Sequence, residues 1–222
     1  EDAAELESLS WRLDPGQSFA DWSIRVTCDD RDSDVVKAAG LEECHAHKNA
    51  LALGPRACGY FAGVFRTASQ LAEGSNSRTD LRLPRCVVKA LPIFLDFVYT
   101  GNLNLKSNIC TEHAVPLLFL ADYLRCKACW KASQDFIRKD LTYSKSVSYL
   151  QAAVALGPAV AKVADAALQL CASNFTSIFP ALQDLNPSLF VQVISSTHLQ
   201  ASSTVLSLKV TSYLASHAKE VD

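Results

Sequence analysis

An α+β block followed by an all-helical block is the fold class this sequence predicts, on three observations. From Trp22 to Cys28 the residues alternate, Ile24, Val26 and Cys28 to one face and Ser23, Arg25 and Thr27 to the other, as in a strand with one wet side. Val87, Leu91, Phe94 and Val98 recur at three- and four-residue steps until Gly101, so a helix with one buried face stops there and gives way to a short alternation at Leu103 and Leu105. Past about Lys139 only helical spacings remain.

In chain order, Ala3, Leu6, Leu9 and Leu13 fall at helical steps, which predicts a short amphipathic helix that Asp14-Pro15-Gly16 breaks; so short a helix needs a packing partner. After the strand at 22–28 the acidic run 29–34 reads as a turn, and 41–48 as the returning strand, Cys44 and Ala46 inward and His45 outward. Two short helices, 49–53 and 57–66, are separated by Gly54-Pro55, and a third strand covers 79–83. Beyond Leu105 one helix carries Ala114, Leu117, Leu118, Ala121 and Leu124; the next carries Cys126, Cys129, Trp130, Ser133 and Phe136 on its apolar face. Pro92 and Pro116 fall inside helical patterns, where each removes a backbone bond. Later helices are expected over 147–156, 160–175, 187–195 and 204–216, with Gly157-Pro158 as a break and Asn186-Pro187 as an N-cap followed by proline.

Composition bounds the function. A 222-residue chain with 49% hydrophobic and 20% charged residues buries a core without staples and keeps a surface of the kind partners cover. A formal charge of −2 with no Lys/Arg run argues against nucleic-acid binding. Neither an uninterrupted apolar span of about 18 residues nor a signal-peptide pattern is present, so the expected setting is intracellular, cytoplasmic and/or nuclear, and away from membranes. With no Met and Glu1 at its head, the chain is expected to be part of a longer protein. The eight cysteines (28, 44, 58, 86, 110, 126, 129, 171) lie in apolar patterns, as reduced buried thiols do.

Two groups of residues invite chemistry. Cys110-x-x-His113 and Cys126-x-x-Cys129 have zinc-site spacing, yet they flank a helix that separates them by roughly 15–20 Å, whereas zinc needs its ligands at about 2.0–2.3 Å. A redox dithiol wants its CxxC at an exposed helix N-terminus after a strand, and here it follows a helix. His47-Lys48 has no accompanying carboxylate pair, nucleophile or phosphate loop. The expectation is no enzyme, no cofactor, no catalytic residue and no metal ligand.

Three stretches in order, HKNALALGPRACGYFAGVF (47–65), LDFVYTGNLNL (95–105) and LLFLADYLRCKACWKASQDFI (117–137), resemble a BTB/POZ domain, a short β-sheet capped by helices. The resemblance places that domain at 17–139 behind a dimerisation helix at 1–16. LFVQVISSTHLQASSTVLSLKVTSYL (189–214) resembles part of an all-α BACK-like domain, here 140–222, the pairing found in Kelch-like adaptors. What the resemblance implies is a non-enzymatic homodimer, with Leu6, Leu9 and Leu13 in an interface made by exchanging the first helix. It also implies a substrate adaptor of a cullin-RING ubiquitin ligase. The third cullin would be met by Phe65, Leu71, Glu73 and Tyr123, the triplet Leu71-Ala72-Glu73 supplying an apolar anchor and a charge-assisted contact, and a region outside this chain would hold the substrate protein. The alternative it implies is a BTB homodimerisation scaffold in transcriptional or cytoskeletal regulation, without a cullin.

Overall fold

In the computed structural model of the chain, residues 10–28, 36, 41–67, 76–102 and 111–218 are described. The expected strand at Leu103 and Leu105 lies outside them, as do Leu6, Leu9, Leu71, Glu73 and Cys110. The chain divides into two units, Glu1–Phe136 and Ile137–Asp222.

The first unit is built on three strands in the order β2-β1-β3. Central β1 (Trp22–Cys28) pairs antiparallel with β2 (Glu43–Ala46) and parallel with β3 (Arg78–Leu83). Trp22, Ile24 and Val26 are buried while Arg25 and Thr27 are exposed, so the alternation read from the sequence is the inside–outside pattern of the sheet. Inside, the Trp22 indole N–H donates to the Thr79 hydroxyl at 3.1 Å, which gives both buried polar groups a partner. A parallel neighbour requires the chain to cross over, and here the crossover contains α2 (Lys48–Ala52) and α3 (Gly59–Arg66).

Four elements differ from the expected ones. Residues 10–13 form a turn and a bend where a helix is expected through Leu13. They are held to the side of a later helix by Asp96, which accepts from Trp11 Nε1 at 2.8 Å and from Arg12 Nε and Nη2 at 3.0 and 2.7 Å. Asp14, expected to break structure, instead caps a four-residue helix α1 (Pro15–Ser18) by accepting the Gly16 N–H. The single helix expected around Val87–Val98 is two, α4 (Arg85–Val88) and α5 (Leu91–Thr100). Pro92 therefore sits in the first turn of α5, where its missing N–H has no intrahelical acceptor to lose and no kink results. Pro116 is interior, in α6 (Thr111–Tyr123), as expected. The last helix of this region, α7 (Lys127–Asp140), starts one residue after Cys126, and the division between the units falls within it.

Gly101 ends α5 with φ +73° and returns its N–H to the Phe97 carbonyl at 2.8 Å. A Cβ there would also meet the Arg56 guanidinium, which reaches across to the Tyr99 carbonyl at 3.1 Å. Gly101→Ala is expected to cost about 1–2 kcal/mol, left-handed strain plus a displaced Arg56. Urea denaturation of the variant beside wild type measures it.

In the second unit a 3₁₀ turn at Tyr143–Lys145 leads into α8 (Ser146–Leu156), and another at Gly157–Val160 into α9 (Ala161–Ser173). Gly157, at φ +72°, breaks the run, and α8 and α9 pack on each other. At 11 and 13 residues, each is shorter than the roughly 20 that a membrane-crossing helix needs. α10 (Phe175–Leu182) is separate from α9, although the spacing runs on to Phe175: the Asn174 side chain donates to the Leu170 carbonyl at 3.0 Å and terminates α9. α11 (Pro187–Ile194) is capped by Asn186, whose side chain accepts the Leu189 N–H, with Pro187 first in the helix as expected. α12 (Ser203–His217) docks through Tyr213, whose ring stacks on Phe190 at 3.8 Å and whose hydroxyl donates to the Leu185 carbonyl at 2.7 Å.

Candidate functional site

Six aromatic rings form one row on the first unit. Trp22 and Phe65 meet edge to face at 4.7 Å, Phe65 lies over Phe61 at 6.0 Å, and Phe61 meets Tyr60 at 5.3 Å. Tyr60 stacks on Tyr123 and Tyr123 on Phe119, each at 6.3 Å. Tyr60, Phe61 and Phe65 come from α3, Phe119 and Tyr123 from α6, so the row spans two helices far apart in sequence. Its inner end is core: Trp22 and Phe61 are buried. Its outer end is not, since Tyr123 keeps 43% of its surface exposed while Tyr60 and Phe119 are half-buried, as is Phe65 between Trp22 and Phe61. A rigid, partly wet aromatic edge is the surface protein partners use as anchors.

Of the four residues assigned to a partner face by sequence, Phe65 and Tyr123 are thus brought into one row, and Leu71 and Glu73 lie outside the described residues. Leu13, assigned to a subunit interface, is exposed on the bend before α1. Sequence reasoning missed Tyr60 and Phe119. The spacing of Phe119 and Tyr123, four apart on one helix, is the signal that marks them as neighbours.

His47 occupies a junction of the scaffold. Its backbone N–H donates to the Tyr99 hydroxyl at 2.9 Å, and its Nδ1 lies 2.8 Å from the same oxygen. Nε2 faces the Ser18 carbonyl, which can only accept, so Nε2 carries the proton and Nδ1 receives that of Tyr99. With both nitrogens engaged and the side chain buried, His47 holds β2, α2 and α5 together and presents no free base.

The thiols separate into two kinds. Burial pushes the Cys44 thiol up to about 11 and raises those of Cys129 and Cys171. Cys126 differs: the hydrogen bond from Cys58, and then the N–H groups of Cys129 and Ala128 and the charge of Arg56, hold it below the ordinary thiol value against the cost of burial. The same hydrogen bond, with burial, raises Cys58. Cys126 stands just before α7 and is buried with Cys129 and Ser133, as the spacing predicted, whereas Trp130, predicted on the same face, is 39% exposed. His113 lies in the first turn of α6 and Cys126 beyond its last, and the 13 residues of α6 span roughly 20 Å; Cys110 lies outside the described residues. Among the described residues no cluster of three or more His, Cys, Asp or Glu is placed to hold a metal ion.

Compared with known protein families, residues 26–141 match the model described as BTB/POZ domain.

Proposed function

The chain belongs to the BTB/POZ domain family, and from that premise we propose that it is a homodimeric substrate adaptor that docks the third cullin of a RING ubiquitin ligase. A BTB/POZ domain is a protein-interaction module, not a catalytic one. The observation that carries the finer reading is the aromatic row: Phe65 and Tyr123, which the family resemblance assigns to the cullin face, share one continuous set of ring contacts that includes an exposed tyrosine. Leu71-Ala72-Glu73 follows α3 in sequence and supplies the apolar anchor and the carboxylate of that face.

For the dimer, support comes from the apolar surface exposed before β1. Trp11 and Arg12 are fixed on Asp96, so Leu6 and Leu9 precede a point anchored to α5. Leu13 and Phe19 expose apolar surface, Phe19 88% of its side, that a second copy covers. Light scattering is expected to give about twice the 24.1 kDa chain mass. Deletion of residues 1–14 should weaken the dimer; a monomer at tens of micromolar would remove it from the reading. The helical unit after Phe136 is assigned a BACK-like role, setting the distance to a substrate-binding region elsewhere in the protein.

Calorimetry with the N-terminal domain of the third cullin tests the adaptor directly. Saturable binding is the expected result. Absence of binding by a well-folded dimer returns the protein to a cullin-independent BTB scaffold.

A further inference from the structure

An open groove of about 610 Å³ lies at the junction of α6 and α7, within the range of roughly 300–1,000 Å³ that bound ligands occupy. Its floor is apolar, made by buried Ala121 and Cys126 and by the ring of Trp130; its rim carries Asp122, Arg125, Lys127 and Lys131, all exposed. Local backbone builds it. α6 stops at Tyr123, Arg125 turns the chain with φ +54°, and α7 begins at Lys127. Lys127, Trp130 and Lys131, three and four residues apart, then share one face of α7. The turn is also held from outside, because the Gly59 and Tyr60 N–H groups that open α3 donate to the carbonyls of Arg125 at 3.0 Å and Leu124 at 3.2 Å. The groove is therefore preformed.

Its polar groups lack counterparts in the chain. Arg12, Arg78 and Lys145 each sit in an ion pair, whereas among the described residues Arg125, Lys127 and Lys131 sit in none. Lys127 also opens a helix, where the helix dipole disfavours a cation, and no acidic residue of the first turn offsets it. Trp11 and Trp22 donate their indole N–H groups to Asp96 and Thr79, and each has a cation over its ring. Trp130 is 39% exposed and, among the described residues, has neither an acceptor nor a ring or cation against it. Three positive charges against one carboxylate thus frame an apolar floor, in a chain whose formal charge is −2.

The chemistry of the occupant follows. A small solvated anion would leave the floor uncovered, and a nucleic-acid backbone wants a longer run of cations than three beside a repelling Asp122. An acidic peptide supplies carboxylates for the rim, an apolar side chain for the floor and main-chain carbonyls for the indole N–H. We propose that the α6–α7 groove docks an acidic peptide segment of a partner protein, one apolar side chain of it seated against Trp130 and its carboxylates met by Arg125, Lys127 and Lys131. This goes beyond the adaptor reading: the groove is formed by residues other than those assigned to the cullin, and its test contains no cullin.

The test titrates the folded, isotope-labelled 222-residue chain with the end-capped peptide Glu-Glu-Leu-Asp-Phe-Glu-Asp at low salt. The expected result is a saturable shift of the Trp130 indole N–H resonance, identified by its loss in Trp130→Phe, while those of Trp11 and Trp22 stay in place. Added salt should weaken binding, since the rim charges are solvated. Combining Lys127→Glu with Lys131→Glu should weaken it at least about tenfold, with an unchanged melting curve because both lysines are exposed and unpaired. A peptide with Gln and Asn in place of every Glu and Asp should lose as much on the wild-type protein, so the charge requirement is read even if the double variant fails to fold. No saturable shift, or equal binding of the uncharged peptide, overturns the proposal. So does a single-stranded oligonucleotide of equal charge that binds as tightly. A Trp130 resonance that moves with protein concentration alone would overturn it too, by giving the groove to a second copy of the chain.

Discussion

Replacing Tyr99 by phenylalanine is expected to lower the stability of the BTB unit by about 2–4 kcal/mol. One hydroxyl serves two groups of His47, accepting the backbone N–H at 2.9 Å and lying 2.8 Å from Nδ1, and the His47 side chain is buried. Phenylalanine keeps the ring and strands both groups, at about 1–3 kcal/mol for each buried polar atom left unpaired. Urea denaturation measures the loss, and a change under about 0.5 kcal/mol would mean that His47 finds other partners. The same hydroxyl gives a pH signature. Burial raises Tyr99 to about 12 from its ordinary value of 10.0. A folded-state value above the unfolded one contributes stability that is complete below pH 10.0 and is lost as pH rises through about 12. Wild type should therefore lose more stability than Tyr99→Phe across that interval, the other tyrosines being common to both. Parallel curves would remove Tyr99 from alkaline unfolding.

That junction also marks the limit of what spacing along the chain can reveal. The β1 alternation, the stop at Gly101 and the Asn186-Pro187 start are local signals, each set by one residue's backbone preference or by burial of one face, and they stand in the structure where the sequence puts them. The α4–α5 break is hidden because Val87, Leu91 and Phe94 keep helical spacing across it; Pro92 is its trace, since proline is at ease only in a first turn. Residues 10–13 take their shape from Asp96, a partner no local pattern discloses. The site shows the same division. Phe61 with Phe65, and Phe119 with Tyr123, are four apart on a helix and legible; Tyr60 against Tyr123 is a tertiary contact and is not.

Affinity for the N-terminal domain of the third cullin is expected to fall at least thirtyfold in Leu71→Asp, about 2 kcal/mol, because the substitution removes an anchor's buried area and places a charge in an apolar pocket. Glu73→Ala, on a solvated rim, should lose less, about 1 kcal/mol. Tyr123→Ala is the cleanest probe from the aromatic row. Its ring is 43% exposed, so truncation should cost about 1–2 kcal/mol in binding and move the melting curve little. Phe65→Ala mixes two effects, since that ring also packs on buried Trp22 at 4.7 Å and its loss should destabilise the fold as well. Leu71 and Glu73 belong to no apolar helix or strand pattern, so their variants should stay folded and dimeric. Tight binding that Leu71→Asp leaves untouched but Tyr123→Ala weakens would keep the aromatic face and move the anchor to another residue of the sequence after α3. Binding indifferent to both would put the cullin on a different surface, and loss of binding only in parallel with loss of the dimer would make the interface between copies, not the aromatic row, the cullin's point of contact.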